Sequence, residues 1–111
     1  MIEVKVKQFL EAQLGVEVYN AVPPEHSKTW ITVERTGGTW DHGMQTAVLA
    51  IQSNAPTLYE TVRLNDSVID QMIRGFIAND EISRVELNAT YNYTNDHQHR
   101  YQAVFDVVFF N

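Results

Sequence analysis

Apolar residues at Ile2, Val6, Phe9, Leu10 and Leu14 recur at helical spacing, and Gly15 follows them as a residue suited to the left-handed C′ position. The alternation of Ile2, Val4 and Val6 would also suit the start of a strand. Phe9-Leu10 with Glu11-Ala12-Gln13 favours a helix over about 2–14. Val16-Glu17-Val18-Tyr19 reads as a short strand, ended by Pro23-Pro24, which have no N–H to give a ladder. Trp30–Arg35 is β-branched and aromatic, hence a strand, and Gly37-Gly38 breaks it. The segment Thr36–Met44, with glycines at 37, 38 and 43, reads as a loop or long hairpin tip, mobile in an isolated chain. Gln45–Gln52 is the next strand, apolar enough to be central.

Pro56 suits the first turn of a second helix, opened by Asn54-Ala55-Pro56-Thr57 and ended near residue 78 by Asn79-Asp80. Its apolar stripe is read as Leu58, Val62, Ile69, Met72, Ile73 and Phe76, interrupted by Asn65. Two alternating segments close the chain. Val85, Leu87, Ala89, Tyr91 and Tyr93 share one face of the first, and Tyr101, Ala103, Phe105, Val107 and Phe109 one face of the second. The sum is a single α+β domain over residues 1–111. Its order is α-β-β-β-α-β-β, with a largely antiparallel or mixed sheet and two helices packed on it.

Composition narrows the function. Hydrophobic residues at 44% and charged residues at 20% describe an ordinary globular chain and exclude wholesale disorder. The net charge of −6 disfavours a grip on nucleic acid phosphates or anionic membranes. There is no cysteine, hence no disulfide, thiolate metal site or Cys nucleophile. Nothing in the first residues reads as a signal peptide, and the longest apolar run, Ala47–Ile51, is far below the ~20 residues of a membrane span. The expectation is a soluble, intracellular domain.

No motif spells out enzyme chemistry. None of Ser27, Ser53, Ser67 or Ser83 sits in a Gly-x-Ser-x-Gly elbow, and Gly37-Gly38-Thr39 lacks the Lys-Ser/Thr ending of a phosphate loop. Asp66 and Asp70 suit the solvated side of a helix. Asp96, His97 and His99 offer metal-ligand chemistry with no partner segment in view, so a small metal-dependent hydrolase is the alternative rather than the preferred reading. Trp40 and Met44 stand out because they lie in a glycine-bearing segment, where a large apolar group gains little unless something covers it. Trp40 either folds back into the core or meets another molecule. Arg35, Trp40, Asp41 and Met44 are the candidate interface residues. The run Val107–Phe110 is expected at an edge covered by a helix or another subunit.

Three stretches carry a resemblance: Val18–Pro23 with Trp30–Gly38; Ala50-Ile51-Gln52-Ser53-Asn54-Ala55-Pro56-Thr57; and Arg100-Tyr101-Gln102 before an alternating strand. In order and length, nearly the whole chain resembles the small tail-terminator and head–tail joining (tail completion) proteins of long-tailed bacteriophages and prophages. Tyr91–Thr94 and Asp96–His99 fall where relatives vary widely. The resemblance implies a structural virion protein of the tail and neck, assembled in the host cytoplasm. It would be a hexameric ring that caps the tail tube and meets the head connector, with no cofactor. The partners so implied are further copies of itself, the tail tube protein and the connector protein. An acidic channel protein also suits DNA that must pass without sticking. An α+β binding module from a non-viral pathway is the other alternative.

Overall fold

The computed structural model describes residues 1–22, 25–95 and 97–110. Helix α1 spans Ile2–Leu14, and β1 (Glu17–Tyr19), β2 (Trp30–Asp41) and β3 (Met44–Ala55) follow. Helix α2 covers Leu58–Asp70, continues through a π-helical turn (Gln71–Gly75) and a 3₁₀ turn (Phe76–Ala78), and is followed by β4 (Ile82–Asn92) and β5 (His99–Phe110). One five-stranded sheet results, in the order β1-β2-β3-β5-β4, parallel only between β1 and β2. The expected α+β class and element order are what the chain adopts.

Local chemistry explains the helix ends. Gly15 takes φ 64°, and its N–H closes α1 on the Glu11 carbonyl. Helix α2 begins two residues later than Pro56 suggests: Thr57 is its N-cap, its Oγ accepting the Glu60 N–H at 3.2 Å and donating to the Glu60 carboxylate at 3.1 Å. Thr57-x-x-Glu60 has the sequence form of a capping box, although here the Glu60 carboxylate takes the Thr57 hydroxyl rather than its backbone N–H.

Both helices lie on the same side of the sheet. Ile2, Val6 and Leu10 of α1 and Val68, Met72 and Phe76 of the second helical segment join Val33, Leu49, Ile51, Phe105 and Val107 in one core. The buried face of α2 is Thr61, Asn65 and Val68, so the expected stripe is displaced. Leu58 and Ile73 are exposed, and Asn65, instead of interrupting the face, is part of it, donating to Thr90 Oγ at 2.9 Å. Gly75 makes room for Phe9: a Cβ there would lie 2.7 Å from the Phe9 ring, which meets Phe76 edge-on at 5.4 Å.

Two expectations about strands are corrected by the pairing. Strand β5 is not an edge; it runs between β3 and β4, paired with β3 from His99 to Phe110 and with β4 from Tyr101 to Phe109. In β4 the register slips between Leu87 and Ala89. Val85 and Leu87 therefore face the helices, whereas Tyr91, opposite Gln102, faces the other way. A one-residue slip moves every later side chain to the opposite face, which is why the five alternating residues do not share one.

The core predicts a sharp contrast within one strand. Phe105 is fully buried and Phe110 is 57% exposed. Phe105→Ala should cost about 3–5 kcal/mol in urea unfolding, and Phe110→Ala should stay within about 0.5 kcal/mol.

Candidate functional site

Strand β2 continues past Gly37-Gly38 instead of breaking there. Thr39↔Thr46, Trp40↔Gln45 and Asp41↔Met44 pair across a two-residue turn at His42-Gly43. His42 (φ 50°) and Gly43 (φ 83°) both take the left-handed region, as a tight hairpin turn of matching twist requires. Of the two readings of this segment, a loop or a long hairpin tip, the second holds: it is a two-stranded arm. The long dimension of the molecule, 43 Å against 24 and 23 Å, matches a twelve-residue strand at ~3.3 Å per residue.

The arm is built around one irregularity. Arg35 pairs with Leu49 but Gly37 with Val48, leaving Thr36 as an extra residue. Before this bulge the odd positions Ile31, Val33 and Arg35 face the helix side; after it the even ones do, so Gly38 and Trp40 share that side with Arg35. Gly38 is obligatory in this geometry: at φ 151° a Cβ would lie 2.1 Å from the Thr46 carbonyl oxygen and 3.2 Å from Arg35 Nη2. The Arg35 guanidinium lies across this bare position and donates to Gln45 Oε1 at 3.3 Å.

A cleft of about 550 Å³ opens beside the arm, between it and the start of α1. Trp40, Arg35 and Gln45 form one wall and Ile2, Ile82 and Phe109 another, with the Lys5–Glu81 ion pair alongside. Trp40 is 64% exposed here, so it is not in the core. The four candidate interface residues divide between two sides: Arg35 and Trp40 face the cleft, whereas Asp41 and Met44 pair on the other face of the arm. Asp41 is exposed and meets the His42 ring at 3.2 Å. Met44 is half-buried opposite Phe110. Gln45, which orients Arg35, was not singled out in the sequence; its signal was its place opposite Trp40, visible only once the turn is known.

The face away from the helices carries a polar row across four strands. Thr32 Oγ donates to Gln52 Oε1 at 3.3 Å, Gln52 Nε2 to Gln102 Oε1 at 2.8 Å, and Gln102 to the Tyr91 hydroxyl. Nearer the arm the same face is apolar and acidic: Ala50 and Val104 pair, Val48 pairs with Asp106, and Asp106 pairs with Glu86. Like charges directly opposite repel. Arg84 reaches Glu86 at 3.4 Å, while Asp106 has no ion pair or side-chain hydrogen bond among the described residues.

At the end of the sheet far from the arm, His97 and His99 line a second cleft of about 290 Å³ with His26 and Lys28. Asp96 lies outside the described residues. Among the described residues no three His, Cys, Asp or Glu side chains are grouped to hold a metal ion. His26 stacks on the buried Trp30 at 4.2 Å, and Glu17 ties the loop down by accepting the Ser27 N–H at 2.9 Å and the Tyr19 hydroxyl at 2.8 Å. Hydrogen bonding from Ser27, then from Tyr19, holds the Glu17 carboxyl below its usual value, and the same bond raises the Tyr19 hydroxyl. No helix among the described residues is long and apolar enough to cross a membrane. No protein-family model matches the chain, and no curated protein matches its sequence.

Two measurements follow from these geometries. Gly38→Ala should weaken arm pairing by roughly 1–3 kcal/mol, seen as faster amide exchange over residues 39–46 with the core amides unchanged. Because the Glu17 pKa is depressed, its contribution is present above 4.5 and lost as pH falls through the lowered folded value. In a Trp40→Phe background, Trp30 emission should shift to the red on acidification. Glu17→Gln should flatten that response.

Proposed function

We propose that this protein is a non-catalytic ring-forming component of a phage tail, a tail-terminator or head–tail joining protein that caps the tail tube and meets the head connector. The observation that carries this reading is the arm: an ordered hairpin that holds an exposed Trp beside an Arg with no carboxylate partner among the described residues. Large aromatic and Arg side chains dominate binding energy where water is excluded on assembly. The chain's resemblance to tail-completion proteins names the assembly, and its acidic balance suits a conduit for DNA.

Assembly and folding separate cleanly under this reading. Trp40→Ala should leave the melting temperature nearly unchanged and weaken self-association by about 2–4 kcal/mol, as a central aromatic anchor does. Sedimentation reads the association, and electron microscopy of tails made with the variant reads completion. Normal association and normal tails with Trp40→Ala would remove the arm from the assembly.

A further inference from the structure

We infer that the arm of one copy docks on the helix-free sheet face of the next. The inference rests on the ring-forming reading above and specifies which surface meets which. The arm offers an indole and a guanidinium on one side, separated only by the bare Gly38 position. The helix-free face offers the reverse set, a floor of the half-buried Val48 and Val104, with the buried Ala50 between them, beside the facing carboxylates of Asp106 and of Glu86, the latter also reached by Arg84. Each surface is incomplete alone. Arg35 has no carboxylate within ion-pair distance among the described residues, and Asp106, half-buried, has no cation. Docking would place the guanidinium between two repelling carboxylates and the indole over the aliphatic floor.

The occupant is a second copy of this chain, because the two complementary surfaces lie on opposite sides of a single sheet. Every copy therefore carries one of each, and the contact is head-to-tail. Repetition of such a contact closes into a ring when its rotation divides the circle, and otherwise grows into a filament. A two-fold contact between identical patches would instead bring Arg35 against Arg35 and leave Asp106 without a cation.

A charge swap tests the contact. Arg35→Glu and Asp106→Arg are compared with the wild type and with the combined variant, by sedimentation velocity over a range of concentrations and two salt levels. Circular dichroism checks that each is folded. Glu86→Lys, at an exposed position, serves as the second acceptor variant and is also combined with Arg35→Glu. Each single reversal should weaken association at least ~10-fold, either combination should recover most of it, and salt should weaken the wild type. Wild-type association that no reversal disturbs, or combinations no better than the singles, would overturn this contact while leaving ring formation standing. A wild type that stays monomeric throughout would sink both.

Discussion

The uninterrupted pairing of β3 with β5 is the constraint on which everything else in this molecule depends. Twelve consecutive residue pairs, from Met44↔Phe110 to Ala55↔His99, run without a register shift. Because side chains alternate strictly, this pairing puts Ala47, Leu49 and Ile51 on one side with Ala103, Phe105 and Val107, all fully buried. The second helical segment packs on that apolar strip, while α1 lies against the neighbouring β1 and β2 and joins the same core. The pairing also decides that the opposite face, with Gln52, Gln102 and Asp106, stays uncovered by helices.

The outer strands do not obey this single alternation, and two of their departures re-aim an aromatic side chain. In β2 the extra residue Thr36 turns Trp40 toward the helix side, where it stands beside Arg35. In β4 the slip at Leu87/Ala89 turns Tyr91 onto the helix-free face, where its hydroxyl ends the row begun by Thr32. These bulges serve the purpose at little cost, since β4 is an edge and β2 has passed its last pair with β1 at Thr32, so only one neighbour has to accommodate the extra residue. A bulge in the central pair would have moved half the core into water.

This division also describes what could be read from the sequence. Helix α1, with its Gly15 stop, and the buried face of β5 were legible because each obeys one period over its whole length. The faces of β4 and the course of β2 were not, since a bulge depends on the partner strand and leaves no period of its own. Gly37-Gly38 read as a break because glycines weaken strands, but here one glycine follows the bulge and the other takes a φ that excludes a Cβ beside the Thr46 carbonyl. The stripe of α2 was misplaced because Thr61 and Asn65 are buried polar residues, and a hydrophobic count passes over them. Arg35, Trp40, Asp41 and Met44 could be named as candidates, but neither the face shared by Arg35 and Trp40 nor its separation from Asp41 and Met44 could be read.

The helix-free face shows how a sheet can expose one side and still direct what covers it. Where Thr32, Gln52, Gln102 and Tyr91 line up, each amide of the two glutamines has a partner on the neighbouring strand, so that row gains little from further burial. Closer to the arm the same strands present valines next to two facing carboxylates, of which Glu86 is exposed and meets Arg84 while the half-buried Asp106 has no cation among the described residues. The unbalanced surface and the unpartnered Trp40–Arg35 pair lie toward the same end of the sheet, on opposite sides, while the histidine cleft occupies the other end. A chain that leaves apolar area and charge of opposite sign on its two sides is stabilised most by a neighbour that repeats it in translation or rotation, not by one that mirrors it.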